Sequence, residues 1–169
     1  MINNFNEFLD KILKLEGGYV NHPNDSGGCT NNGITLSTFK RYFGNDKTCE
    51  HLKNITKEQI SKIYKEGFWD PCFGDEIKNS SVAHIFVDWA INSGIRTAVK
   101  EIQKIVGETT DGVMGNKTLN AINSFNQQKL FKKIKESRIA FYENLIKKNP
   151  SLKVFLKGWL NRLNEYNWK

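Results

Sequence analysis

No run in the chain approaches the roughly 20 consecutive apolar residues that a membrane-spanning helix needs. The opening stretch "MINNFNEFLDKILK" has neither the long apolar region nor the small-residue cleavage site of a secretory leader. The chain is therefore expected to be made in the cytoplasm without a signal peptide. His22, His51 and His84 stand far apart, and no two histidines have metal-ligand spacing, which argues against a zinc peptidase. Each is expected to be an ordinary core or surface histidine. Cys29, Cys49 and Cys72 have neither a tight pair spacing nor histidines around them, so zinc is not implied and all three are expected to be reduced. With an odd number of cysteines, at least one lacks a disulfide partner within the chain. Helix-turn-helix, zinc-finger and aromatic-platform motifs are absent, which leaves nucleic-acid binding to net charge alone. Neither an internal repeat nor a low-complexity linker occurs.

What is present is enough chain, 169 residues, for one domain with a full core or one domain with a closely packed second lobe. The 11 Phe, 5 Tyr and 4 Trp supply that core. An excess of 25 Lys+Arg over 18 Asp+Glu gives a formal charge of +7 and attraction to a polyanion, which can be nucleic acid, an anionic membrane or the bacterial wall. The lysines are spread along the chain, so a solvated surface is the simpler reading of most of them. "KKIKES" runs into "RIAFYENLIKK" with apolar spacing, as a helix with a basic outer face does.

The pattern of elements is mainly α. Phe5, Phe8, Leu9, Ile12 and Leu13 keep a helical period that Gly17 and Gly18 end. Glu16 follows Ile12 by four residues and Leu13 by three, which places it at the inward edge of the same face. Between Tyr19 and Thr35 lie Pro23, several glycines, Asn and Asp, with short patches such as "GIT" that can pair as a small β-hairpin. Helices are expected from Leu36, from Thr56 and from Ser80. Thr56 with Gln59 fits a capping box. The apolar density of the Ser80 segment marks the central helix of the core, with Gly94 as its end. "DGVMG" reads as a turn without the spaced acids of a calcium loop. A long helix is expected around Gln127 to Lys147, a break at Pro150, and a last short helix.

Two carboxylates around one loop can divide the work of breaking a glycosidic bond, one protonating the leaving oxygen and one serving the opposite side. Glu16, at an apolar helix edge, is the acid that desolvation favours in its protonated form, whereas Asp25 in the polar loop stays ionised. Thr30 adds a hydroxyl able to hold a water. The plainer alternative is that Glu16 caps local N–H groups and Asp25 forms an Asx-turn.

"LEGGYVNHPNDSGGCTNNGIT", followed by "IYKEGFWD", "VDWAINSG", "IQKIVG", "DGVMGNKTLNAI" and "GWLNR", resembles the glycoside hydrolase family 108 muramidases, phage and prophage lysozymes with a predicted peptidoglycan-binding segment at the C-terminal end. The likeness runs over about residues 8 to 166. It implies a lysozyme-like α+β fold, a catalytic lobe over 1–94 and a helical, peptidoglycan-binding-like lobe over 95–169. It also implies cleavage of the β-1,4 bond between N-acetylmuramic acid and N-acetylglucosamine, without cofactor or metal, by a monomer that reaches the wall after holin-type or other release. The Glu of "EGGY" is the family's expected acid and falls on Glu16. The order Glu16, Asp25, Thr30 also resembles the active-site order of inverting T-even phage lysozymes. Cys29 stands where the family tends to have a small residue, and as a reduced thiol is expected to be neutral there. Tyr19, Tyr64, Asp88, Trp89 and Asn92 are the candidate sugar contacts. For Asp88 a buried hydrogen-bond partner competes with the sugar, and for Tyr64, Trp89 and Asn92 core packing does. Trp69 and Trp159 are expected in the core, and Arg138 and Arg162 in interior ion pairs. A non-catalytic peptidoglycan-binding or secretion-associated protein is the rival reading; it accounts for the charge but not for an acid at the inward edge of the first helix.

Overall fold

The apolar stripe of the first segment forms α1 (Phe5–Leu15) in the computed structural model, which describes residues 5–21 and 28–169. Phe8, Leu9 and Ile12 are buried. The Glu16 amide donates to the Ile12 carbonyl at 2.8 Å, so Glu16 completes the last turn before the two glycines release the chain. Two short strands follow, β1 (Thr30–Asn31) and β2 (Ile34–Thr35), antiparallel with Thr30 opposite Thr35 and Asn31 opposite Ile34. Their connection, Asn32 and Gly33, has φ of 49° and 74°. Two positive φ values make the tight turn whose twist suits a hairpin, and Asn-Gly adopts them at least cost. Val20 and Thr30 exchange backbone hydrogen bonds of 2.8 Å, which brings the chain after Tyr19 back beside β1.

Three helices complete the first half: α2 (Leu36–Phe43), α3 (Cys49–Lys53) and α4 (Lys57–Tyr64). The expected capping box at α4 is formed, with Gln59 N donating to Thr56 Oγ1 at 3.2 Å and Thr56 N to Gln59 Oε1 at 3.1 Å. The hairpin is fastened to α3 twice. Buried Asn31 donates from Nδ2 to the Leu52 and Lys53 carbonyls at 3.0 and 3.1 Å, satisfying acceptors that a helix end leaves open. The second fastening corrects the expectation of three reduced cysteines: Cys29 and Cys49 form a disulfide, their Cα atoms 5.8 Å apart. Their separation of 20 residues is no recognisable spacing, but β1 and the start of α3 are packed side by side. Cys29 is thus a covalent anchor rather than a neutral small residue. Cys72 is the free cysteine, and burial pushes its thiol up to about 12.

The described chain divides into two compact units, residues 6–67 and residues 68–169, with Phe5 counted in the second. The division falls inside a π-helical turn, Lys65–Trp69. In the second unit α5 (Ser80–Ser93) is the expected central helix, buried without interruption from Ser81 to Ala90. Asn79 caps it by accepting from Val82 N, and Gly94, at φ 86°, ends it. Around it lie α6 (Ile95–Val106), α7 (Asn116–Ser124), α8 (Gln127–Lys148) and α9 (Leu156–Asn164), with a 3-10 segment Pro150–Phe155 before α9. The "DGVMG" turn is organised by buried Gln103, which donates to Asp111, Val113 and Thr118 and accepts from Gly112 N. Among the described residues no helix is long and apolar enough to cross a membrane.

Candidate active site

Glu16 leaves α1 half-buried, and its carboxylate lies against the hairpin turn. The contact is tight enough that a Cβ on Gly33 would stand 2.7 Å from Glu16 Oε2 and 2.8 Å from the Tyr64 hydroxyl. Both distances are inside van der Waals contact, so the carboxylate and the phenol occupy the space that a side chain at position 33 would fill. Tyr64, the last residue of α4, is buried and donates its hydroxyl to the Asn32 carbonyl at 2.7 Å. A helix end, a hairpin turn and a second helix end thus meet at one acid.

Thr30 is half-exposed in β1, with its backbone engaged by Val20. Tyr19 is half-exposed on the other side of that pairing, and Lys53 Nζ lies 6.0 Å from its ring centroid. Asp25 and His22 lie outside the described residues. Of the predicted groups, the structure brings Glu16 and Tyr64 together, and it places Thr30 two residues from the turn that supports them.

Asp88 and Trp89 are interior residues, as the alternative reading of each had it. Neither has any exposed surface. Asp88 spends one carboxylate oxygen on Arg138 at 2.9 Å and the other on Arg162 at 2.8 Å. Arg138, itself fully buried, also donates to the Tyr142 hydroxyl at 2.8 Å. Trp89 packs edge-on against Phe141 with centroids 6.0 Å apart. Asn92 is exposed, with its amide oxygen 3.4 Å from the Tyr142 hydroxyl. Tyr166, buried beside this cluster, has its pKa raised, first by desolvation and then by the Asp88 charge. His51 caps α3 by accepting from Thr48 N at 3.1 Å, and His84 is buried 5.9 Å from the Trp69 ring. Among the described residues no group of three or more His, Cys, Asp and Glu is placed to hold a metal ion.

Gly33 and Asn32 were not among the sequence candidates. The dipeptide Asn-Gly before an apolar residue was the available signal.

Residues 9–94 match the family model described as Glycosyl hydrolase 108. The chain belongs to that family. Residues 97–164 match a second model, described as Predicted Peptidoglycan domain. A solved structure of SagA from Brucella abortus is similar over 96% of this chain and 90% of that one, with 36% identity and a TM-score of 0.80. No curated protein matches the chain. As a family 108 member it is a glycoside hydrolase acting on peptidoglycan, and the residues gathered at Gly33 all fall inside the hydrolase match.

Proposed function

We propose that the protein is a muramidase that cleaves the β-1,4 bond between N-acetylmuramic acid and N-acetylglucosamine, with Glu16 as the general acid. The observation that carries this reading is the seat of the Glu16 carboxylate, held half-buried against the bare Cα of Gly33 and beside the Tyr64 hydroxyl. An acid that protonates a leaving oxygen needs a fixed direction and partial shielding from water. Asp25 acts as the base on the opposite side and Thr30 helps to hold the water, so the anomeric centre is inverted. Inversion requires the two carboxyl groups to stand roughly 6.5–9.5 Å apart, against about 5–5.5 Å for retention. Tyr19, half-exposed beside Thr30, is the aromatic face offered to the sugar. Residues 1–94 carry the reaction and residues 95–169 the grip on the wall.

Glu16→Gln keeps the carboxyl's shape and cannot deliver a proton. It is expected to lose about 10²–10⁴-fold in the clearing of a wall suspension while its melting temperature stays near that of the parent. Mass spectrometry of the released fragments should find new reducing ends on muramic acid, and proton NMR before mutarotation should find the α-anomer first. A folded Glu16→Gln protein with substantial activity would remove Glu16 from the role. A β-anomer as first product would remove Asp25 and Thr30 from theirs.

A further inference from the structure

The segment between α8 and α9 carries a feature that the hydrolase reading does not use. From Asn144 to Asn164 there is not one acidic residue, while Lys147, Lys148, Lys153 and Lys157 are all exposed and make no ion pair among the described residues. Amid these lysines the 3-10 segment exposes two apolar side chains, Val154 at 78% and Phe155 at 54%. Of the large rings in the second unit, Phe155 is more exposed than Trp168, which stands at 38%. Phe155 is also not loose, because it stacks on Trp159 with centroids 6.0 Å apart and planes at 29°. Trp159 in turn stacks on Tyr142 at 5.0 Å and 27°. Tyr142 is buried and held through its hydroxyl by Arg138. The result is a ladder of three rings anchored in the interior and ending at the surface, with exposed Lys153 and Lys157 two residues to either side of Phe155 in the chain.

We propose that this ladder, with Lys153 and Lys157 beside it, is a binding surface for the glycan strand of peptidoglycan, separate from the residues around Glu16. A sugar presents a face of weakly positive C–H groups, which an aromatic ring attracts through the negative face of its π-system. Peptidoglycan adds the carboxylates of its stem peptides, at the spacing of its repeating units. An apolar ring bordered by unpaired lysines satisfies both parts of that ligand. The preformed stack lowers the ordering cost of binding, since Phe155 is already held by Trp159. The surface lies within the segment that matches the predicted peptidoglycan domain. This inference rests on the proposed wall substrate, and it names where on the helical unit the wall is held.

The test is sedimentation with purified sacculi stripped of secondary polymers, on ice, with all variants in a Glu16→Gln background so that the wall stays intact. Phe155→Ala is expected to weaken binding about tenfold, the equivalent of ~1.4 kcal/mol. Phe155→Tyr, which keeps a ring in the stack, should bind like the parent. Lys153→Glu with Lys157→Glu provides a second route that leaves the rings in place, and should weaken binding at low salt more than at high salt. Equal sacculus binding by all of these proteins overturns the proposal. So does a loss confined to vesicles of phosphatidylglycerol and phosphatidylethanolamine, which would make the patch a membrane contact. Failure of the muramidase reading is separately visible, as the absence of wall cleavage by the parent whatever the sacculus binding shows.

Discussion

At the scale of single residues, the most constrained position is one without a side chain. Gly33 has φ of 74°, and a methyl group there would meet the Glu16 carboxylate at 2.7 Å and the Tyr64 hydroxyl at 2.8 Å. Gly33→Ala therefore has two separable effects. The left-handed backbone costs roughly 1–2 kcal/mol for an L-residue, which a thermal melt will read. The displaced carboxylate should cost far more in rate, on the order of 10²-fold for a shift of about 1 Å. A variant that loses stability and keeps its turnover would show that the position of Glu16 tolerates movement. Nothing in the identity of Glu16 announces this dependence. It follows from which atoms the hairpin turn places beside it.

At the scale of elements, the second unit is tied together at Asp88, which reaches from α5 to Arg138 on α8 and Arg162 on α9. Asp88→Ala leaves Arg138 buried without its counter-charge, and the expected loss is roughly 3–5 kcal/mol, seen as a lower denaturation midpoint. Alkaline pH should loosen the same unit. Buried Cys72 and Tyr166 both have folded pKa values raised by desolvation. A raised value means that the folded form holds its proton longer than the unfolded chain does. Their contribution is complete below the ordinary thiol value of 9.0 and is lost as pH rises toward the folded value of about 12 for Cys72. Denaturation midpoints should fall from about pH 9 upward, and Cys72→Ala should delay that fall. An unchanged alkaline limb in Cys72→Ala would assign the effect elsewhere. Much of this architecture was legible in the sequence. The helix through Leu15, the capping box at Thr56, the buried run after Ser80 and the interior arginines each follow from a local pattern. The short helix α3, the Asn31 bonds to its end and the covalent tie at Cys49 do not, because each depends on segments about 20 residues apart meeting in space. For Asp88 and Trp89 residue type left a sugar-facing and an interior reading side by side. Burial, which sequence spacing only half determines, placed them inside.

At the scale of the whole molecule, the chain joins a hydrolase segment, 9–94, to a segment matched to a peptidoglycan domain, 97–164, and carries a formal charge of +7. Steering toward an anionic wall belongs to the sum of those charges. The proposed chemistry belongs to a few residues near the start. Those few depend on the bond between Cys29 and Cys49, which closes the chain on the hairpin that supports Glu16. Closing a loop of that length is worth about 3 kcal/mol, and reduction should lower the melting temperature and slow wall cleavage together. Activity measured with and without a thiol reductant, beside a Cys29→Ser, Cys49→Ser variant that reductant cannot affect further, will check it. Equal rates for the oxidised and reduced parent would mean that Asn31 and the strand pairing suffice. Such bonds form and last where the surroundings are oxidising. While thiols are kept reduced, an enzyme that dissolves the wall would exist with its working end unlatched. In an oxidising space the latch is closed, and in a reducing one the hairpin rests on Asn31 and the strand pairing alone.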